Sequence, residues 1–197
     1  MRGVRLISLS VVLALVGWGL ACAKDFYVIP VPKGNYAPVE KTGQTTSYAS
    51  NDDGDLEKGV AWPTPRFTDN GDGTVTDNLT QLIWLKNACC SGGNWTQALG
   101  FAATLASGSC GLTDGSQAGD WRLPNVKELL SLIDYGHAYP ALPAGHPFTT
   151  VDPGPYWSST TRTASTTSAW TVVFIEGDAG SSAKSSYCWV WPVRGGQ

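Results

Sequence analysis

One stretch constrains this chain more than any other: Asp120-Trp121-Arg122-Leu123-Pro124-Asn125-Val126-Lys127-Glu128-Leu129-Leu130-Ser131-Leu132-Ile133-Asp134-Tyr135. Its second half carries what a helix needs at its start. Asn125 can accept from the free amides of the first turn, Glu128 stands three residues on to close a capping box, and Pro124 stiffens the entry. Val126, Leu129, Leu130 and Ile133 then recur at i, i+3, i+4 and i+7, while Lys127, Glu128 and Ser131 fall on the wet side. The stretch predicts a core helix over Asn125 to Asp134, with its charged residues in packing rather than catalytic roles. Whatever else the chain builds must offer that helix a surface to bury against.

A second helix is predicted from Asn94, where Asn94 and Gln97 repeat the capping arrangement and Trp95, Ala98, Leu99, Ala102 and Leu105 share one side. The other elements alternate with period two. Arg66 to Asp69 and Thr74 to Asp77 flank Asn70-Gly71-Asp72-Gly73, a turn rich in residues that tolerate positive φ, and so form a hairpin. Leu82 to Leu85 makes a third strand, Tyr156 to Ser159 a fourth, Ala169 to Ile175 a fifth. Tyr187 to Val193 makes the last, with Tyr187, Trp189 and Trp191 on one side and Cys188 and Val190 on the other. Strands, two helices, proline-rich loops and more strands specify an α+β domain over residues 65–197, with one mostly antiparallel sheet and long loops. The first and last strands are expected to be neighbours. Thr160 to Ser168, nearly all Ser and Thr, reads as an exposed adaptable loop.

Residues 1–23 do not belong to that fold. Arg2 and Arg5 give a positive start, Leu6 to Leu20 is apolar, and Ala21-Cys22-Ala23 fits a signal-peptidase site, so export is expected. The competing cut makes Cys22 the lipid-bearing cysteine of a lipoprotein, although Gly19 is a poor match to the aliphatic residue usual three positions before it. Residues 24–64 carry Pro30, Pro32, Pro38, Gly34 and Gly43 and read as an extended leader that lies against the domain or tethers it. No further apolar run approaches the ~20 residues of a membrane span, so attachment would be through lipid alone. Losing Arg2 and Arg5 takes the net charge from −3 to about −5, which argues against nucleic-acid binding.

Both processing routes remove Cys22 and leave Cys89, Cys90, Cys110 and Cys188, an even number that in an exported chain reads first as disulfides. A bond between adjacent Cys89 and Cys90 would be strained, so one of them is expected to bridge to Cys110 and the other to Cys188. Zinc is disfavoured, because neither C-x-x-C nor a nearby histidine is present. Asp69, Asp72 and Asp77 are weak calcium candidates: Gly71 breaks the required spacing and no Glu closes the loop. The acidic turn Asn51 to Asp55 reads as solvated. Neither G-x-S-x-G, H-E-x-x-H nor a phosphate-binding loop occurs, His137 and His146 sit alone among prolines, and Glu128 and Asp134 do not make a glycosidase pair.

Several motifs in order give the chain a family likeness: Arg66 to Thr80 (Arg-Phe-Thr-Asp-Asn-Gly-Asp-Gly-Thr-Val-Thr-Asp-Asn-Leu-Thr), Trp84-Leu85-Lys86-Asn87, Asp120 to Leu129, Tyr156-Trp157-Ser158-Ser159-Thr160 and Val193-Arg194-Gly195-Gly196. From about Thr64 to the end, with an extension back to Thr42-Gly43-Gln44-Thr45, the chain resembles the Lcl C-terminal domain family, named for the C-terminal domain of a bacterial collagen-like adhesin. The resemblance implies a C-type-lectin-like fold, related to that of formylglycine-generating proteins, and extracytoplasmic adhesion, which for the founding domain is to sulfated polysaccharide. The departures limit what carries over. The Glu-Pro-Asn and Trp-Asn-Asp motifs of calcium-dependent lectins are absent, and Cys188 stands alone where the formylglycine-generating enzyme has paired cysteines. A net negative chain also suits sulfated ligands only if its cations cluster.

These readings lead to an exported, non-catalytic module that binds an extracellular polysaccharide or a surface protein through the loops between Tyr135 and Ser186 and through exposed aromatics, of which Trp189 is the candidate. The alternatives are an envelope enzyme or maturation factor on the same scaffold, which would need ionisable groups converging in a pocket, and a structural protein that oligomerises.

Overall fold

The structure, a computed structural model, describes residues 39–196. The expected signal segment, Cys22 and the first part of the leader lie outside them. In chain order the elements are α1 (Asp53–Leu56), β1 (Phe67–Asp69), β2 (Thr74–Asp77), β3 (Ile83–Leu85), β4 (Ser91–Gly93), α2 (Trp95–Thr104), α3 (Val126–Leu130), β5 (Pro155–Thr161), β6 (Ser168–Val173), β7 (Asp178–Ala183), β8 (Cys188–Val190) and β9 (Val193–Arg194). The class is α+β, as expected, but the strands form two sheets rather than one: β1-β2-β3-β9 and β4-β8-β5-β6-β7. All pairs are antiparallel except β5 with β8.

The last predicted strand accounts for the division. Pro192 cannot donate to a ladder, and the chain breaks at Trp191-Pro192, leaving β8 in one sheet and β9 in the other. The strand predicted last is therefore two short ones. The last of these does join the sheet of the first strands, but beside β3 at the far edge from β1. The hairpin of β1 and β2 pairs Phe67 with Asp77 and Asp69 with Val75, as the turn sequence requires.

Both capping boxes form. The Asn94 side chain accepts from the Gln97 amide while the Gln97 side chain accepts from the Asn94 amide, and Asn125 and Glu128 repeat the exchange. The helix predicted over Asn125 to Asp134 is shorter than its apolar pattern suggested: α3 ends at Leu130, and Leu132 and Ile133 reach the core from the irregular chain beyond it. Burial of Leu129, Leu132 and Ile133 thus required the right positions but not continued helix. A third helix, α1, arises where a solvated acidic turn was expected, because the Asp52 carboxylate accepts the amides of Tyr48, Ala49 and Asp55.

Two apolar clusters fill the interior. The larger holds Trp84, Trp121, Trp191, Tyr156 and Phe174 with Leu85, Leu129 and Leu132. The smaller packs Ala98 and Ala102 of α2 against Trp157, Ala169, Cys188 and Val190. β8 divides them: Cys188 and Val190 face α2, while Trp189 packs on the larger cluster. Each buried Trp contributes roughly 4–6 kcal/mol of transfer free energy before the cost of ordering it.

Residues 39–64 lie against the domain. The Tyr135 amide donates to the Thr42 carbonyl at 2.9 Å, and Glu40 and Val60 bridge to each other. Gly43, at φ 89°, passes so close to buried Asp134 that a Cβ there would stand 2.2 Å from its Oδ1. Only glycine fits that crossing. Arg66 joins this segment to the hairpin: its guanidinium makes two bonds to Asp77 (2.9 and 3.0 Å), one to the Ser131 carbonyl (2.7 Å), and lies 3.8 Å from Glu40.

Candidate binding site

The motif-bearing stretch borders a depression of about 610 Å³, lined by Leu99 and Ala103 of α2, Trp121, Arg122, Glu128 and Ser159. Its charged groups already have partners. Arg122 makes two 2.7 Å bonds to Glu128 and one of 3.0 Å to the Gly195 carbonyl, while Glu128 also accepts the Asn125 amide. Burial works to raise the Glu128 carboxyl, but Arg122 and the Asn125 amide outweigh it and hold the group below its ordinary range. Arg122 is raised in turn by the same bond. This pair fastens the helix entry to the chain's last residues and has no titration near neutral pH to offer a reaction.

The cysteines divide between a staple and two buried thiols. Cys90 and Cys110 form the disulfide, with Cα atoms 5.7 Å apart, and it joins the segments flanking α2. The second expected bridge is absent, for both remaining cysteines are free. Cys188 points into the small cluster on β8, whereas Cys89 Sγ lies 2.9 Å from the Tyr156 hydroxyl under the larger one. Burial pushes both thiols up, and it pushes the Tyr156 hydroxyl far up with Cys89 adding to the effect. All three groups stay protonated at neutral pH.

The weak calcium candidates do not converge. Asp77 is buried and occupied by Arg66, the Leu79 and Thr80 amides and the Thr80 hydroxyl. Asp69 binds Lys86 at 2.7 Å, which holds its carboxyl low, and Asp72 turns back on Thr74. Among the described residues no three His, Cys, Asp or Glu side chains are grouped to hold a metal ion. The two histidines are also separate: His137 is bonded to Asp134 at 2.8 Å, and His146 is half-buried against Phe148, its pKa lowered by that burial.

What the fold does present is an aromatic pair. Trp189 and Tyr187 stand edge to face, ring centroids 5.6 Å apart, with Tyr187 61% exposed. The i, i+2 spacing that puts Tyr187, Trp189 and Trp191 on one side of the strand gives a gradient from exposed through half-buried to fully buried. Trp191 anchors that side by donating to the Leu85 carbonyl at 2.8 Å. A glycine makes room for the outermost ring: Gly92 is the cross-strand partner of Trp189, and a Cβ on it would lie 2.3 Å from the Tyr187 hydroxyl. Trp95, Trp121, Trp157 and Trp191 donate their indole N–H groups to protein acceptors, while those of Trp62, Trp84 and Trp189 have none among the described residues.

Trp189 was visible in the sequence as an aromatic on an alternating strand. Tyr187 was read onto the same side without being singled out, and Gly92 left no signal in its own segment. Of the Ser/Thr-rich run expected as a loop, residues 162–167 form an exposed connection between β5 and β6, closed where the Arg162 amide donates to Ser168 and the Ser168 amide to Ser165, while its ends join the two strands.

No curated protein matches the chain. Among protein families, the model of the Lcl C-terminal domain matches residues 73–194, a span holding both helices of the two-sheet body, the disulfide, the Trp-Arg-Leu-Pro entry and the aromatic pair. With well over half of its length so matched, the chain belongs to the Lcl C-terminal domain family.

Proposed function

We propose that this protein is an extracytoplasmic, non-catalytic binding or adhesion module with a C-type-lectin-like fold, and that its ligand is an extracellular polysaccharide or a surface protein met at Tyr187 and Trp189. The observation that carries the reading is the aromatic pair: an exposed Tyr187 ring, cleared by Gly92, standing edge to face on a half-buried Trp189 that the core holds in place. Such a surface stacks on sugar rings or apolar side chains without needing charge. The family's adhesive founding member supports the same direction.

The ionisable groups favour binding over the enzyme alternative. Arg66–Asp77, Arg122–Glu128 and Arg194–Asp114 are tied in ion pairs, and the thiols are held protonated. No helix of the described residues is long and apolar enough to cross a membrane.

A polysaccharide and glycan array with the full chain, run with calcium and with chelator at two salt concentrations, tests the proposal. The expected result is binding that survives chelation and moderate salt and is lost in Trp189→Ala and Tyr187→Ala. Binding untouched by both substitutions, or turnover of an arrayed compound, would overturn it.

A further inference from the structure

β7 forms one edge of the five-stranded sheet and, among the described residues, has no partner on its far side. It pairs with β6 in unbroken register from Ser168–Ala183 to Val173–Asp178. Lys184 continues the ladder, donating its amide to the Thr167 carbonyl at 2.8 Å. Antiparallel strands alternate, so the even-numbered residues direct their backbone groups toward β6, and Ala179, Ser181 and Ala183 direct theirs outward. All three are exposed. Open edges are normally protected by an inward lysine, a proline, a bulge or a short length, because unpaired amides and carbonyls recruit other strands. β7 spans six residues with neither a proline nor a bulge, and its charges stand only at the two ends of the ladder, at Asp178 and Lys184.

The sequence of this edge is complementary to itself. A two-fold axis through Ser181 sets Ala179 opposite Ala183 and Gly180 opposite Ser182, small residues throughout, with Asp178 opposite Lys184 at each end. Residues facing each other across an antiparallel pair lie on the same face of the sheet. Asp178 is exposed and belongs to no ion pair among the described residues. Lys184 is likewise without a carboxylate: its ammonium lies 2.8 Å from the Thr161 hydroxyl and 3.9 Å from the centre of the Trp95 ring. The register is permitted by the hydrogen bonding as well, since the residue on the axis is one that faces outward.

We infer that β7 is a dimerisation edge, pairing antiparallel with β7 of a second copy about Ser181 and closing two Asp178–Lys184 ion pairs, so that two five-stranded sheets become one of ten strands. The interface is isologous, and each copy contributes the same patch. The two aromatic pairs would then be held on one continuous sheet, which favours ligands with repeated units.

Sedimentation velocity of the full chain over a wide concentration range is expected to show a monomer–dimer equilibrium that weakens as salt rises. Ser181→Pro removes an outward amide only, so it is expected to abolish the dimer while leaving circular dichroism and thermal midpoint unchanged. Asp178→Lys is expected to weaken association by about tenfold or more by setting like charges opposite each other, and adding Lys184→Asp to it restores association. That rescue discriminates pairing from damage to the fold. A monomer at every concentration, or a dimer indifferent to Ser181→Pro and to the charge exchange, overturns the inference.

Discussion

Removing one partner of the Arg66–Asp77 pair should destabilise the fold by an amount that depends on which partner is removed. Both side chains are buried, and breaking a buried ion pair costs roughly 3–5 kcal/mol because a charge is left without compensation. Arg66→Met leaves the Asp77 carboxylate with the Leu79 and Thr80 amides and the Thr80 hydroxyl, three donors that continue to satisfy it. Asp77→Leu leaves the guanidinium with the Ser131 carbonyl and a Glu40 carboxylate at 3.8 Å, and strips the acceptor from the turn after β2. The first change belongs near about 3 kcal/mol and the second near about 5. For a chain of this size the thermal midpoint would fall by about 6–12 °C and about 10–20 °C respectively. Urea unfolding followed by tryptophan fluorescence, with calorimetry beside it, measures both. The double variant should lose less than the sum, since neither charge is then stranded. A cost under about 1 kcal/mol for either variant, or Arg66→Met costing the more, would refute this account of what the pair does.

The disulfide closes a loop of sequence separation 20 around α2, so Cys90→Ser with Cys110→Ser should cost about 3 kcal/mol in chemical denaturation, while Cys188→Ser should follow only the loss of its packing. Gly92→Ala should displace the Tyr187 ring and change the near-ultraviolet circular dichroism, with stability altered by about 1 kcal/mol or less because the clash is with an exposed ring tip. Glu128 is held below the ordinary glutamate value of 4.5 in the folded chain, so it binds protons less readily there than when unfolded; its contribution is fully present above about pH 4.5 and disappears as pH falls through the lower folded value. Unfolding free energies measured across acid pH should therefore slope less in Glu128→Gln. Glu40 acts with the opposite sign: burial raises its carboxyl, so the stability linked to its proton is present below pH 4.5 and is lost on going up through the folded value, and Glu40→Gln should be the more stable chain at neutral pH.

Local signals were the most legible part of this fold. Two capping boxes, the hairpin turn of Asn70 to Gly73 and three alternating strands were each written within a dozen residues, and each formed. What the sequence concealed depends on distant partners. β4 is Ser-Gly-Gly, with no propensity for a strand, and exists because β8 lies beside it; β7 is Asp-Ala-Gly-Ser-Ser-Ala and exists because β6 offers a full register. Two sheets rather than one follow from a break at Pro192, which a run of alternating aromatics disguised. Cys89 and Cys188 show the same limit: an even count suggested two bridges, but burial against Tyr156 in one case and α2 in the other is a property of the packed chain. For the binding site, spacing disclosed Trp189, whereas the clearance that Gly92 supplies to Tyr187 could be recognised only once the strands were side by side.

The placement of the last two strands bears on how the molecule comes into being. A polypeptide that leaves a ribosome or a translocation pore N-terminus first delivers β1 to β7 early, yet the seat between β4 and β5 stays empty until Cys188–Val190 arrives, and the seat beside β3 until Val193–Arg194. Neither half of the architecture can be finished by itself. Both sheets therefore take their completing strand from the single segment 188–194, so one short stretch of chain closes the two halves together.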